Sequence, residues 1–400
     1  MPIKDLVIFE DDSALTLEPL TLTRPVWDLL CGIRTLREKV AALFPETTLH
    51  YFARTFLSSV SGSQTLEELN KLNATWINGS FLADSGLKAV IDLAPGCAWI
   101  QNGRVVAFCG SASLDWGAGT SLPANGFQCI EAPEDSGALC RYPWELVQAM
   151  NVQNDKEAHT LRQLGQIRGD VHPKAILIRS EDIYIGTGAQ IGAGAVLDAS
   201  KGPIVLDDDV LIGANAVMEG PTCLKCKVQV KPLSQVVGSC LGEESRVGGE
   251  VSCSIIQGFS NKQHGGFLGH SFIGSWCNLG SGTETSNLKN NYSPIKVQVG
   301  KNLVDTESLF VGLTMGDHSK SAIGSVFNTG AVVGVGCNIF GAGFPPRFVP
   351  SFHWGGAEKL TRYPFKPTLE TARAMMARRN WELTQEMIEI LEWVYQHRTE

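Results

Sequence analysis

Residues 206–236 read Leu206-Asp-Asp-Asp-Val-Leu-Ile212-Gly-Ala-Asn-Ala-Val-Met218-Glu-Gly-Pro-Thr-Cys-Leu224-Lys-Cys-Lys-Val-Gln-Val230-Lys-Pro-Leu-Ser-Gln-Val236. Leu206, Ile212, Met218, Leu224, Val230 and Val236 recur every six positions without a miss. An amphipathic helix repeats at about 3.6 and a two-sided strand at about 2, so neither accounts for this spacing. A triangular coil does. Each hexad forms one flat side, its aliphatic residue points inward, and a small residue lets the chain turn the corner. Three sides close a turn, and successive turns stack as parallel strands. A single turn cannot bury its inner face alone, so the period has to persist.

It does persist on both sides. Ile185-Gly186, Ile191-Gly192 and Leu197 precede the stretch in one phase, and Ile323-Gly324, Thr329-Gly330, Val335-Gly336 and Gly341 keep the register beyond it. A prism is therefore expected over 173–343, entered at His172-Pro173 and stopped by Phe344-Pro345-Pro346. Residues 1–150 alternate short apolar runs (Leu6 to Phe9, Thr75 to Ile77, Arg104 to Phe108) with helix-like segments such as Ile33 to Phe44, closed by Pro45. That is the pattern of an α/β domain. A linking helix is expected within 151–172, over Asp155 to Ile167. In the arm and helices of 344–400, Leu383, Met387, Ile390, Leu391 and Val394 form one apolar stripe, read as a helix docked on the body.

Composition narrows the class of function. Apolar residues make up 44% and charged residues 18% of the 400, with a formal charge of -8. This excludes a general affinity for nucleic acid or anionic membrane. No apolar run is long enough to span a bilayer, and the N-terminus does not read as a signal peptide. Eleven cysteines, an odd number among buried-looking positions, read as free thiols in a reducing cytoplasm. Cys223 and Cys226 form the only CxxC, and with no second pair zinc is not the first reading.

Two breaks in the repeat carry polar residues that a prism does not need for packing. The first runs from Glu250 to Asn287 and includes Lys262, His264, His270, Asn278 and Ser281. The second, Val311 to Gly324, includes Asp317, His318 and Lys320. Moving an acyl group from a thioester to an amine needs a base, a donor for the oxyanion, and groups that hold the acceptor. His264 suits the base, Glu250 could orient it or hold the amine, and Asn278 and Asn287 offer amides to the substrate.

These residues resemble the acetyltransferase half of the bifunctional N-acetylglucosamine-1-phosphate uridyltransferase/glucosamine-1-phosphate acetyltransferase family, the GlmU-like proteins. His264 to Leu268-Gly269 matches that family's His-x-x-Tyr-Leu-Gly-Asp, with Phe267 for the tyrosine and His270 for the aspartate. Asn278-Leu279-Gly280-Ser281-Gly282-Thr283 matches its Asn-Ile-Gly-Ala-Gly-Thr, and Asn287 follows at the family interval. The resemblance implies a left-handed β-helix, a homotrimer, His264 as catalytic base and Glu250 as the active-site glutamate. It further implies Asn278 and Asn287 as substrate-binding residues and Ser281 beside the coenzyme, acetyl-CoA. Where the family has a basic residue shortly after the glutamate, this chain has Ser252. Substrate phosphate then falls to Lys262, Lys296 or Arg347, and Lys320 and Arg347 join Ser281 as coenzyme-binding candidates.

Residues 1–150 resemble the nucleotidyltransferase half in a shorter, variant form. Glu10-Asp11-Asp12-Ser13 replaces the family's glycine-rich phosphate loop, Arg24 falls at the catalytic lysine, and Asn78-Gly79 stands where a metal-binding Gly-Asp is expected. Arg24 is a candidate phosphate ligand. Asp11 and Asp12 read first as caps or a solvated turn, and second as ligands for Mg²⁺. Expected partners are an amino-sugar phosphate and an acyl-CoA, with a nucleoside triphosphate left open. Three readings stand: a two-headed enzyme, an acyltransferase whose N-terminal domain only binds a sugar nucleotide, and a sugar-nucleotide transferase or binding protein whose β-helix serves oligomerisation alone.

Overall fold

The computed structural model describes residues 5–72, 74–113 and 115–399. Its contacts divide the chain into two units, one made of the residues up to Leu29 with Arg34–Tyr142, the other of Leu30–Ile33 with Pro143–Glu400.

The first unit is α/β. Its six-stranded sheet runs Thr48–Phe52, Asp5–Phe9, Thr75–Asn78, Arg104–Cys109, Cys97–Gln101, Gln128–Glu131. Asp5–Phe9 is flanked by parallel neighbours on both sides. Leu6, Val7, Ile8 and Phe9 are all at most 1% exposed, which is why this strand reads as an unbroken apolar run rather than an alternation. Trp76 stacks on Phe108 with centroids 5.2 Å apart, and Phe9 meets Trp116 edge-on. The helix expected from Ile33 spans Leu36–Leu43 instead. Thr35 and Glu38 form a reciprocal capping box that fixes its start.

The second unit opens with the helix Pro143–Leu161. It begins earlier than the expected link of 151–172, with proline at a first-turn position where its missing N–H costs nothing. The left-handed parallel β-helix follows. Its first face starts at Asp170–Val171, its second at Ile176–Ile178, its third at Ile183–Ile185, and each continues as a ladder of parallel strands. The interior is a column of apolar side chains, interrupted by the inward Lys262 and Ser321. Leu206, Ile212, Met218, Leu224, Val230 and Val236 are 0–3% exposed. At the corner between the third and first faces, Lys227, Glu244, Phe259 and His318 have left-handed backbone. There each N–H reaches a carbonyl of the preceding coil.

Two expectations for the later coils are corrected. Ile323 is 80% exposed, and the inward row there is Ser321, Phe327, Val333 and Ile339. The apolar-glycine pairs of this region mark corners, not sides: Gly324, Gly330 and Gly336 take φ of 68°, 63° and 66°. The stack also runs past Gly343, through Phe348–Val349 and His353–Gly355. Coil length varies more than a strict hexad allows. Arg246 pairs with Asn261 only fifteen residues on, whereas Asn278 pairs with Lys320 forty-two residues on. The long coil carries an excursion over 286–313 that includes the antiparallel hairpin Lys296–Val299 with Asn302–Asp305.

Helices Phe365–Ala377 and Gln385–His397 close the unit. Leu383, Ile390, Leu391 and Val394 are at most 6% exposed, and Tyr395 meets Phe352 edge-on, so the stripe docks on the prism. Among the described residues, no helix is long and apolar enough to cross a membrane.

Candidate functional site

Glu250, His264, His270, Ser281, Glu284 and Asn287 of the first break gather on the second face of the prism and at its two corners, whereas Lys262 and Asn278 belong to the first face. Glu250 pairs in register with Phe267, and the Phe267 N–H donates to Glu284 Oε2 at 2.7 Å. Glu250, Phe267 and Glu284 therefore stand on three consecutive coils of one outward row. His264 lies in the turn that leads into this face, exposed, three residues after Asn261. Ser281 lies three residues after Asn278, the register partner of Asn261, so it is the neighbour of His264 on the next coil and is likewise exposed. The Phe267 ring lies along the face over Gly269. A Cβ at Gly269 would sit 2.3 Å from the ring and 2.6 Å from the Asn287 amide. The second face thus offers an apolar strip with a carboxylate on either side and an imidazole at one end.

The far corner is occupied differently from the sequence expectation. His270 has left-handed backbone, φ 47°. Its ring stacks on Phe310 of the excursion at 5.0 Å, and Asn287 Nδ2 donates to its Nδ1 at 2.8 Å. Burial pushes the His270 imidazole below its ordinary value. Asn287 is thereby committed to holding a ring, not presented to solvent as a free amide. His264 and His270 flank the same strand, Phe267–Gly269, at its opposite ends.

Asn278 and Lys320 sit together, but on the first face. They are register partners, and the Asn261 amide donates to Asn278 Oδ1 at 3.3 Å. Arg379 from the C-terminal segment donates to Asn261 Oδ1 at 2.5 Å and is 4% exposed in its side chain. Lys320 donates to the His318 carbonyl at 2.8 Å, and burial pushes its ammonium down to about 8. His318 is itself buried, stacked parallel to Trp276.

Lys262 and Arg347 contradict their expected contact with phosphate. Lys262 is 2% exposed and occupies the inward row, paired with Val247. Its Nζ donates to the carbonyls of Gly248 and His264, each at 2.9 Å. Burial pushes this ammonium down to about 8, with Glu284 and Glu250 pulling the other way. Arg347 donates to the carbonyls of Thr329 and Lys296, and so braces the excursion against the last coils. Lys296 itself is exposed on the hairpin. Sequence reasoning missed Glu284, because a row neighbour is found only by counting one whole coil, and coil lengths differ.

In the first unit, Glu10 is fully buried and holds Arg54 through two side-chain contacts of 3.1 Å, while its oxygens also accept the Val26 and Arg54 backbone N–H groups. Asp11 and Asp12 share the Arg104 guanidinium, and Asp11 accepts the Ser13 N–H at 2.9 Å. Mg²⁺ does not fit between these two carboxylates, since the cation position is filled by a side chain. Among the described residues, no cluster of three or more His, Cys, Asp or Glu could hold a metal. Asn78 is 1% exposed and its amide oxygen accepts from the N–H and hydroxyl of Ser80, a turn-forming role. Arg24 is half-buried beside Asp28, whose carboxyl burial raises while Arg37 and Arg24 lower it.

The profile of a family described as sugar nucleotidyl transferase matches residues 6–163. The chain is 36% identical over 88 residues to the bifunctional protein GlmU of Methanocaldococcus jannaschii, covering 22% of this chain and 21% of that protein. It is 27% identical over 150 residues to the GlmU of Azorhizobium caulinodans, covering 36% and 33%. It therefore spans about a fifth to a third of the length of these relatives. A solved UDP-N-acetylglucosamine acyltransferase from Campylobacter jejuni aligns with 57% of this chain and 97% of its own, at 12% identity and a TM-score of 0.30.

Proposed function

We propose that this GlmU-like chain, whose nucleotidyltransferase-like domain is divergent, transfers an acetyl group from acetyl-CoA to the amine of an amino-sugar 1-phosphate of the glucosamine 1-phosphate type. One observation carries the reading: the exposed His264 stands at the end of a row in which Glu250 and Glu284 flank Phe267. Packing does not call for an imidazole and two carboxylates there, whereas an aminated acceptor does.

In the proposed step the acceptor nitrogen attacks the thioester carbonyl. His264 takes the proton that the nitrogen sheds, the C–S bond breaks as the amide forms, and the imidazolium returns its proton to the CoA thiolate. Glu250 and Glu284 hold the acceptor as its ammonium, which gives one proton to solvent before the attack, and orient the amine that follows. The Phe267 strip carries the apolar side of the sugar or of the pantetheine arm. Backbone N–H groups of the glycine-rich turns serve the oxyanion. A homotrimer, in which a second prism closes the open side of this row, completes the proposal.

CoA thiol release from acetyl-CoA with glucosamine 1-phosphate, in wild type and His264→Ala, tests it. Release that collapses in the variant while the fold persists supports both the reaction and the base. Absence of release with every amino-sugar phosphate tried would overturn the reading.

For the first unit, a binding role is favoured over nucleotidyl transfer. The Glu10–Arg54 pair and the Arg104 contacts to Asp11 and Asp12 occupy the loop where a phosphate cradle would have to open. A cavity of about 550 Å³ lined by Ser111, Ser113, Asp115, Trp116 and Thr120 is large enough for the sugar end of a sugar nucleotide.

A further inference from the structure

We infer that Lys262 is a positioning residue, which fixes the turn bearing His264 from inside the prism. This rests on the reading of His264 as the base. Val230, Val247 and Lys262 occupy one inward row on successive coils of the first face. Hexad logic supplies an aliphatic side chain at that slot. An ammonium placed there has to be desolvated, which is expensive unless its protons are well received.

They are received by two carbonyls at the leading corner of the second face. The Gly248 carbonyl belongs to one coil and the His264 carbonyl to the next, and Nζ donates to both at 2.9 Å. One side chain therefore ties two consecutive turns together, and the second of these carries the imidazole. Beyond this, the turn is held by two backbone hydrogen bonds, from the Gly282 N–H to the Gly265 carbonyl at 3.0 Å and from the Glu250 N–H to the Gly266 carbonyl at 3.2 Å, and neither fixes His264 itself. His264 is followed by Gly265 and Gly266, the latter at φ 119°, and a side chain placed at Gly265 would meet nothing within 4 Å. Two glycines give the backbone freedom at the position where a catalytic group needs a fixed direction. The lysine removes that freedom without presenting any group to the substrate. Glu250 and Glu284 of the acceptor row act electrostatically on the same ammonium, so the clamp also balances the charge of the face above it.

The test compares wild type with Lys262→Met, which keeps the length of the side chain and suits the apolar row. Three quantities are measured: the melting temperature, amide hydrogen exchange at Glu250 and Gly282, whose N–H groups donate to the Gly266 and Gly265 carbonyls, and kcat against KM in CoA release. The melting temperature is expected to hold or rise, since an apolar replacement removes a buried charge. Exchange at Glu250 and Gly282 is expected to quicken at least about tenfold, with kcat falling about 10- to 100-fold and KM for acetyl-CoA unchanged. Lys262→Gln, which retains one donor group, should fall between the two, and it carries the same comparison should the Met variant not fold. Wild-type exchange and kcat in the variant would overturn the clamp, as would a loss of protection spread evenly over the prism. If the wild type releases no CoA, the assignment of His264 as base fails, while the exchange comparison still decides whether Lys262 holds the turn.

Discussion

His264 is exposed and its ring packs against nothing that the fold requires, so its replacement by alanine should separate chemistry from stability. Loss of a general base is expected to lower kcat by about 10²–10⁴-fold. The unfolding free energy should move by no more than an exposed surface change does, about 0.5 kcal/mol. Glu284→Gln keeps the acceptor for the Phe267 N–H but loses the charge. It should raise KM for the amine acceptor several-fold and leave KM for acetyl-CoA alone, as steady-state kinetics can show. Gly269 makes a different kind of claim on the same surface. Any side chain there collides with the Phe267 ring and the Asn287 amide together, so Gly269→Ala should disturb both ends of the row. The chemistry-bearing types at His264, Glu250 and Ser281 could be read from the sequence, because a histidine or glutamate has no part in an apolar repeat. The direction of Lys262 could not. Its residue type suggests a phosphate ligand, and only its place in the register, inward beside Val247, says otherwise.

The coils show the same contrast between position and composition. Over 206–236 every sixth residue is aliphatic and every one is buried, so the sides of the prism were legible directly. Over 323–341 the sequence offers an equally regular series, yet the structure reads it two residues out of phase, because apolar-glycine pairs serve corners as readily as sides. Two isoleucines test this. Ile339→Ala, at 2% exposure, should cost about 2–5 kcal/mol in urea denaturation. Ile323→Ala, at 80% exposure, should stay within about 0.5 kcal/mol. Equal losses at both sites would mean that the register is wrong. The excursion over 286–313 left no periodic trace at all. Its ring contact to His270 and its brace from Arg347 join residues forty and more positions apart, and no local pattern encodes such a pairing.

Stability as a whole should depend on pH in a way set by buried titratable groups. Lys262 and Lys320 are pushed down to about 8 in the folded chain from an ordinary 10.5. Between those values the unfolded chain binds more protons, so stability rises as pH increases through about 8. Cys277 and Cys337 are pushed up to about 12 from 9.0. Above pH 9 the unfolded chain loses thiol protons that the folded chain keeps, so this contribution falls. The urea midpoint should therefore climb from about pH 8, level off above pH 9 where the two contributions oppose each other, and fall above about pH 10.5. Lys262→Met should flatten the climb, and Cys277→Ala with Cys337→Ala should remove the fall. For the first unit, a nucleoside triphosphate, Mg²⁺ and a sugar 1-phosphate are expected to yield pyrophosphate only at background. Release at an enzymatic rate would return nucleotidyl transfer to the chain.

The forty-two-residue step from Asn278 to Lys320 carries a consequence of its own. The ladder resumes in register after it, with Lys320 in place to pair with Asn338 as though nothing had intervened. A loop that leaves and re-enters at a corner adds only a closure entropy that grows with the logarithm of its length. Insertions at the corners are thus nearly invisible to the scaffold, while a single residue gained or lost within a side would turn an entire strand inside out. Lineages descended from such a chain can lengthen, trim or exchange their corner loops while the stacked sides stay fixed in length.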